Sequence, residues 1–125
     1  MATRAAADVL AFSQDACACA RFQFVVGSDA EIDAFCRALQ QEMGMETRYG
    51  DGPNGPVPHR EAVDELYMLD MLAPLYQVYG KADGSGIVVR STEPVGFSPS
   101  GKIINVVQVE NLTDALPHVT VATQT

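Results

Sequence analysis

Apolar positions recur at helical spacing in three stretches of the chain. Ala5, Ala6, Val9, Leu10 and Phe12 lay one stripe along residues 3–13, which predicts a short amphipathic helix. Ile32, Phe35, Cys36, Leu39 and Met43 form a second stripe. It follows "SDAE" at 28–31, a capping box in which Ser28 accepts from a first-turn amide while Glu31 reaches back. Gly44 then predicts a left-handed C-cap. A third helix is predicted from Arg60 to Ala73. Glu61, Asp64 and Glu65 suit the positive end of its dipole, and Pro74 disfavours helical geometry in its predecessor.

The remaining apolar stretches carry β patterns. "ACARFQFVVG" and "METRY" flank the second helix, so strand, helix and strand suggest a βαβ unit. Beyond Pro74, "LYQVYG", "GIVVRST", "KIINVVQVE" and "HVTVATQ" read as strands separated by short turns, which suggests an antiparallel meander. In "KIINVVQVE", Ile103, Val107 and Val109 face one side and Ile104 and Val106 the other. That is the pattern of a central strand covered twice. "HVTVATQT" alternates apolar and polar positions and reads as an edge strand.

The expectation is one α+β domain, with helices 29–43 and 60–73 packed on a mixed or mainly antiparallel sheet. The Gly/Pro-rich residues 50–58 would be a hinge-like loop between the two halves.

Composition narrows the function classes more than it names one. The 125 residues are 47% apolar and 19% charged, enough for a real core in a single domain. The formal net charge is −8, and the eight basic residues are scattered along the chain. A nucleic-acid binder needs a cationic patch to displace phosphate counterions, and an anionic membrane needs the same, so both partners are disfavoured. No apolar run reaches the roughly 18–20 residues that span a bilayer. Asp8 and Asp15 interrupt the apolar N-terminal stretch, which argues against a secretory signal. Three cysteines, an odd number, fit a reducing cytoplasm better than a disulfide framework.

Three stretches are candidates for chemistry. Gly50, Gly52 and Gly55 spell G-x-G-x-x-G, and a strand precedes them. Pro53 removes an amide from the middle of that motif, and Pro56 and Pro58 postpone any helix. A phosphate cradle needs both, so the stretch reads as a turn, at most a flap beside Asp70. "CAC" puts Cys17 and Cys19 on one face of a strand, close enough to share a soft metal ion. No histidine or further cysteine completes that set, so a buried-thiol reading competes with a thiol or metal site. Neither a metal nor a cofactor is implied. "GFSPSG" does not have the spacing of a nucleophile elbow. His59 precedes an acidic first turn that is better explained as a dipole complement on a solvated face.

"ELYMLDMLAPLYQVYG" is the third candidate. Asp70 interrupts an otherwise apolar, aromatic or Pro stretch, and burial would raise its pKa toward acid–base use, with Tyr67 one turn back as a donor. The same stretch holds more apolar surface than one small core covers. Leu66, Met68, Leu69, Leu72, Tyr76 and Tyr79 are therefore candidate interface residues. The leading expectation is a non-catalytic domain that self-associates or joins a larger assembly, with room for a small-molecule ligand. A small acid–base enzyme built on a buried Asp70 is the alternative, and thiol or metal chemistry at Cys17 and Cys19 is the second.

Overall fold

The computed structural model describes residues 1–14, 19–48 and 50–120, and they form an α+β fold. Helix α1 spans Ala2–Leu10, β1 Phe22–Val25, α2 Asp29–Met43, β2 Glu46–Thr47 and β3 Gly50–Asp51. Helix α3 spans Arg60–Asp70, followed by β4 at Gln77–Gly80, β5 at Ile87–Ser91 and β6 at Ile103–Gln108. Four strands make one mixed sheet in the order β1-β6-β5-β4, while β2 and β3 pair separately.

Strand β6 lies between β1 and β5 and runs parallel to both, with Phe22 opposite Asn105 and Ile87 opposite Ile103. Its apolar residues on both faces explain this position, because a parallel strand has to be covered twice. On one face Val88, Ile104 and Val106 pack against Val9 and Leu10 of α1 and Ile32, Cys36, Leu39 and Met43 of α2. On the other, Ile87, Val89 and Ile103 pack against Leu66 of α3 and Val95. Val95 belongs to the crossover at 92–102, which passes over this second face without forming a helix.

The capping box at Ser28 is formed: Ser28 Oγ accepts from Glu31 N–H, and Glu31 Oε2 accepts from Ser28 N–H at 2.9 Å. Both partners sit within one turn, which is why this feature can be read from sequence.

Several expectations are corrected. β2 does not return beside β1, so β1–α2–β2 is not a βαβ unit. The parallel partner of β1 is β6, near the other end of the chain. The predicted meander is antiparallel only at the β4–β5 hairpin. Residues 112–118 coil into a 3-10 helix, and His118 stacks on Phe24 at 5.4 Å between ring centroids. Residues 119 and 120 form no strand, and the rest of the expected edge strand, 121–125, lies outside the described residues. Gly44 keeps right-handed angles (φ −82°, ψ −5°), so no left-handed cap closes α2.

Two polar side chains stand in for missing backbone partners around β6. Opposite Ile103, β1 has not yet begun, and Gln14 occupies the place. Its Oε1 accepts from Ile103 N–H at 3.2 Å and its Nε2 donates to Ile103 C=O at 2.7 Å. Asn105, fully buried, accepts from Val95 N–H at 3.0 Å. It donates to Val89 C=O and Ser91 Oγ, both at 2.9 Å. Both residues thus satisfy buried groups that would otherwise be costly.

Candidate functional site

The C-terminal half of α3 and the turn that follows it form the feature least explained by folding. Ala62, Leu66 and Leu69 point inward onto the second core. The outward face of the first two turns is charged, with Arg60, Glu61, Asp64 and Glu65 all exposed. It then becomes apolar. Tyr67, Met68, Met71, Leu72 and Leu75 are all exposed, Met71 most of all at 83%. Five large apolar side chains are thus exposed within nine residues, a local concentration rather than isolated single exposures.

The structure therefore divides the candidate interface residues. Met68 and Leu72 are exposed on the patch. Leu66 is buried, Leu69 and Tyr76 pack partly into the second core, and Tyr79 packs partly into the first. Met71 and Leu75 join the patch although the sequence did not single them out. An inward stripe at 62, 66 and 69 turns 67, 68 and 71 outward, so helical phase would have found Met71; Leu75 lies in the turn beyond α3, where that phase no longer applies.

Asp70 is the last residue of α3 and is exposed, not buried. The inward stripe ends at Leu69, so the next position turns roughly 100° toward water. The desolvation that an acid–base role required is therefore missing, and Tyr67 beside it is also exposed. Asp70 instead lies on the rim of two surface depressions. One, of about 280 Å³, runs along β4 between Asp33 and Arg37 of α2 and Ala73 and Tyr76 of the turn. The other, of about 390 Å³, lies between α3 and the β4–β5 hairpin, lined by Val63, Leu66, Val78, Lys81 and Ile87 among others. No residue of 50–58 lines either one, so that loop is not a flap beside Asp70.

The first depression has an ordered polar wall. Tyr79 donates its hydroxyl to Asp33 Oδ1 at 2.6 Å, and Arg37 Nε donates to Asp33 Oδ2 at 3.0 Å. The Arg37 guanidinium also lies 5.3 Å from the Tyr79 ring centroid. The Tyr79 hydroxyl, and then Arg37, hold the Asp33 carboxyl below its ordinary range. Burial, and then the Asp33 carboxylate, push the Tyr79 phenol up to about 12. Further along the sheet, Arg90 reaches Asp29 at 2.7 Å and Gln108 at 2.6 Å, tying the start of α2 to the ends of β5 and β6. These groups hold one another through hydrogen bonds and ion pairs.

The glycine-rich loop has a structural partner that the sequence reading missed. Lys102 is buried, and its ammonium donates to Gly52 C=O at 2.7 Å and Gly84 C=O at 3.0 Å. Burial lowers its pKa, against the opposing pull of Asp51 and Asp83. A Cβ on Gly55 would stand 2.7 Å from the Lys102 nitrogen, so the glycine makes room for the ammonium. Lys102 thus ties the glycine-rich loop to the hairpin turn.

Cys17 lies outside the described residues. Cys19 is buried and its thiol donates to Ala11 C=O at 2.8 Å, while burial pushes the Cys36 thiol up to about 12. Among the described residues, no group of three or more His, Cys, Asp or Glu side chains gathers as a metal site. Among them also, no helix is long and apolar enough to cross a membrane. No protein-family model matches the sequence, and no curated protein matches it.

Proposed function

We propose that this protein is a non-catalytic assembly subunit that associates through the outer face of α3 and the turn at 71–75. The observation that carries this reading is the switch from the charged outer face of the first turns of α3 to five exposed apolar side chains, Tyr67 and Met68 on the helix and Met71, Leu72 and Leu75 in the turn after it. Water-exposed apolar surface of this size is a cost in a lone domain and an asset once covered. The 390 Å³ groove beside it extends the same face, and its Leu66, Val78 and Ile87 floor suits a partner side chain or a small apolar ligand.

Sedimentation velocity on the wild type against Met71→Glu and Leu75→Glu tests the proposal. Both side chains are exposed, so the charged variants should fold as the parent does. The wild type should sediment as an oligomer at micromolar concentration, and each variant should shift toward the monomer. A wild type that stays monomeric and captures no protein from its native extract would sink the reading.

A further inference from the structure

Asp70, Ala73 and Tyr76, which alternate in sequence with the exposed apolar residues, line a depression along the exposed edge of the sheet. Strand β4 is the last in the order β1-β6-β5-β4, and among the described residues no strand lies on its outer side. The opposite edge strand, β1, has the 3-10 helix at 112–118 folded against it. Within β4 neither lysine nor proline blunts the edge. The 280 Å³ depression runs along Gln77, Val78 and Tyr79, between α2 on one side and the end of α3 on the other. A trough beside an edge strand, walled by two helices, has the shape that receives another strand.

Resting on the assembly reading above, we propose that the occupant is β4 of a second copy of this chain, paired antiparallel about a two-fold axis normal to the sheet. Charge placement favours this occupant. Asp70 borders the trough together with Gln77, where β4 begins, and Lys81, which shares the second depression with Asp70 of its own copy, follows Gly80, where β4 ends. Antiparallel pairing sets the start of one β4 beside the end of the other, so each Lys81 approaches Asp70 of the second copy. On the α2 side, the same axis brings Arg37 toward Asp33 of the second copy and Asp33 toward its Arg37. Both sets are self-complementary, which a two-fold contact requires. A parallel arrangement would set like against like. The axis also keeps both α3 helices on one face of the joined sheet. The patch at Met71, Leu72 and Leu75 then meets its own copy beside the paired strands.

The experiment combines charge reversal with hydrogen exchange. Asp70 and Lys81 are exposed, so D70K and K81D should leave the fold intact, checked by circular dichroism. Each single variant loses two symmetry-related ion pairs and gains two repulsions, and should self-associate roughly tenfold more weakly. The double variant D70K/K81D, and an equimolar mixture of the two single variants, should recover association. In the wild type, amides at 76–80 should be protected from exchange at high concentration and lose protection on dilution. An oligomer with unchanged association in both single variants and unprotected 76–80 amides would overturn the β4 pairing while leaving the assembly reading intact. A strict monomer would overturn the pairing and leave only a different protein as the partner.

Discussion

The Lys102 ammonium donates to the carbonyl of Gly52 at 2.7 Å, across fifty positions of sequence. With the 3.0 Å bond to Gly84, this one cation fastens the glycine-rich loop to the β4–β5 hairpin. Lys102 adopts φ +63°, a left-handed backbone that side-chain-bearing residues reach only at a cost of order 1–2 kcal/mol. The bonds offset that cost. Lys102→Met keeps the apolar stem and strands both carbonyls, so it should destabilise the fold by about 2 kcal/mol in urea denaturation. The loop at 50–58 should become the first site of proteolytic nicking. The pH dependence has a definite sign. The folded pKa lies below the ordinary 10.5, so the unfolded chain binds the extra proton between the two values. Wild-type stability should therefore rise with pH across that window relative to Lys102→Met.

Asn105 performs the corresponding task for the crossover. It is the buried polar residue at the middle of the central strand, and it holds Val95 N–H, Val89 C=O and Ser91 Oγ together. Asn105→Ala would orphan the Val95 amide and leave a cavity against a close-packed sheet. The expected loss is roughly 2–4 kcal/mol. Asn105→Asp should be no milder, since it buries a charge and forfeits the amide donor. Thermal or urea unfolding of both variants checks this. A loss within half a kcal/mol for Asn105→Ala would mean that the crossover is held elsewhere.

What the sequence made legible was mostly local. Helix α2 and its capping box depend on residues three and four apart, and β6 advertises its central place by apolar residues on both faces. The pairing of β1 with β6 carries no such signal, because the β1 stretch would suit almost any neighbour. Asp70 has an apolar neighbourhood in sequence yet is exposed, because neighbours in sequence along a helix face different ways in space. The helix stripe at 62, 66 and 69 turns the apolar residues at 67, 68 and 71 outward along with it. Lys102, Asn105 and Gln14 escaped notice for a different reason. Their partners are mainly backbone carbonyls and amides in distant segments, and backbone groups leave no mark on residue type.

Gln14 gives that last point a measurable form. Its amide completes the hydrogen bonding of Ile103 from 89 positions away, and it also donates to Ala20 C=O at 3.1 Å. Gln14→Ala should cost roughly 1–3 kcal/mol, because it leaves a buried amide and carbonyl unpaired. Gln14→Glu should recover only the bond from Ile103 N–H, since a carboxylate has no proton for the carbonyl. Amide exchange at Ile103 should accelerate in the alanine variant and much less in the glutamate one. Equal exchange in both would show that the side chain does not protect this amide.

The hydroxyl of Tyr79 supplies the clearest pH prediction. Its folded pKa of about 12 stands above the ordinary 10, so the folded protein keeps a phenolic proton that the unfolded chain releases. The resulting stability is fully present below pH 10 and is lost as pH rises from 10 toward 12. Tyr79→Phe removes that dependence. The wild type should therefore be more stable than Tyr79→Phe at pH 8, and the gap should narrow steadily above pH 10. The acid side has the opposite sense. The Tyr79 hydroxyl is the first cause of the lowered Asp33 pKa, so in Tyr79→Phe the Asp33 carboxyl should titrate closer to its ordinary value. The stability due to that carboxylate, present above its unfolded pKa, should then be lost at a higher pH as acid is added. Urea midpoints from pH 3 to 11.5, together with carboxyl titration by NMR, read both effects. A pH-independent difference between the two proteins would show that Tyr79 contributes packing alone and that its hydroxyl does not hold Asp33.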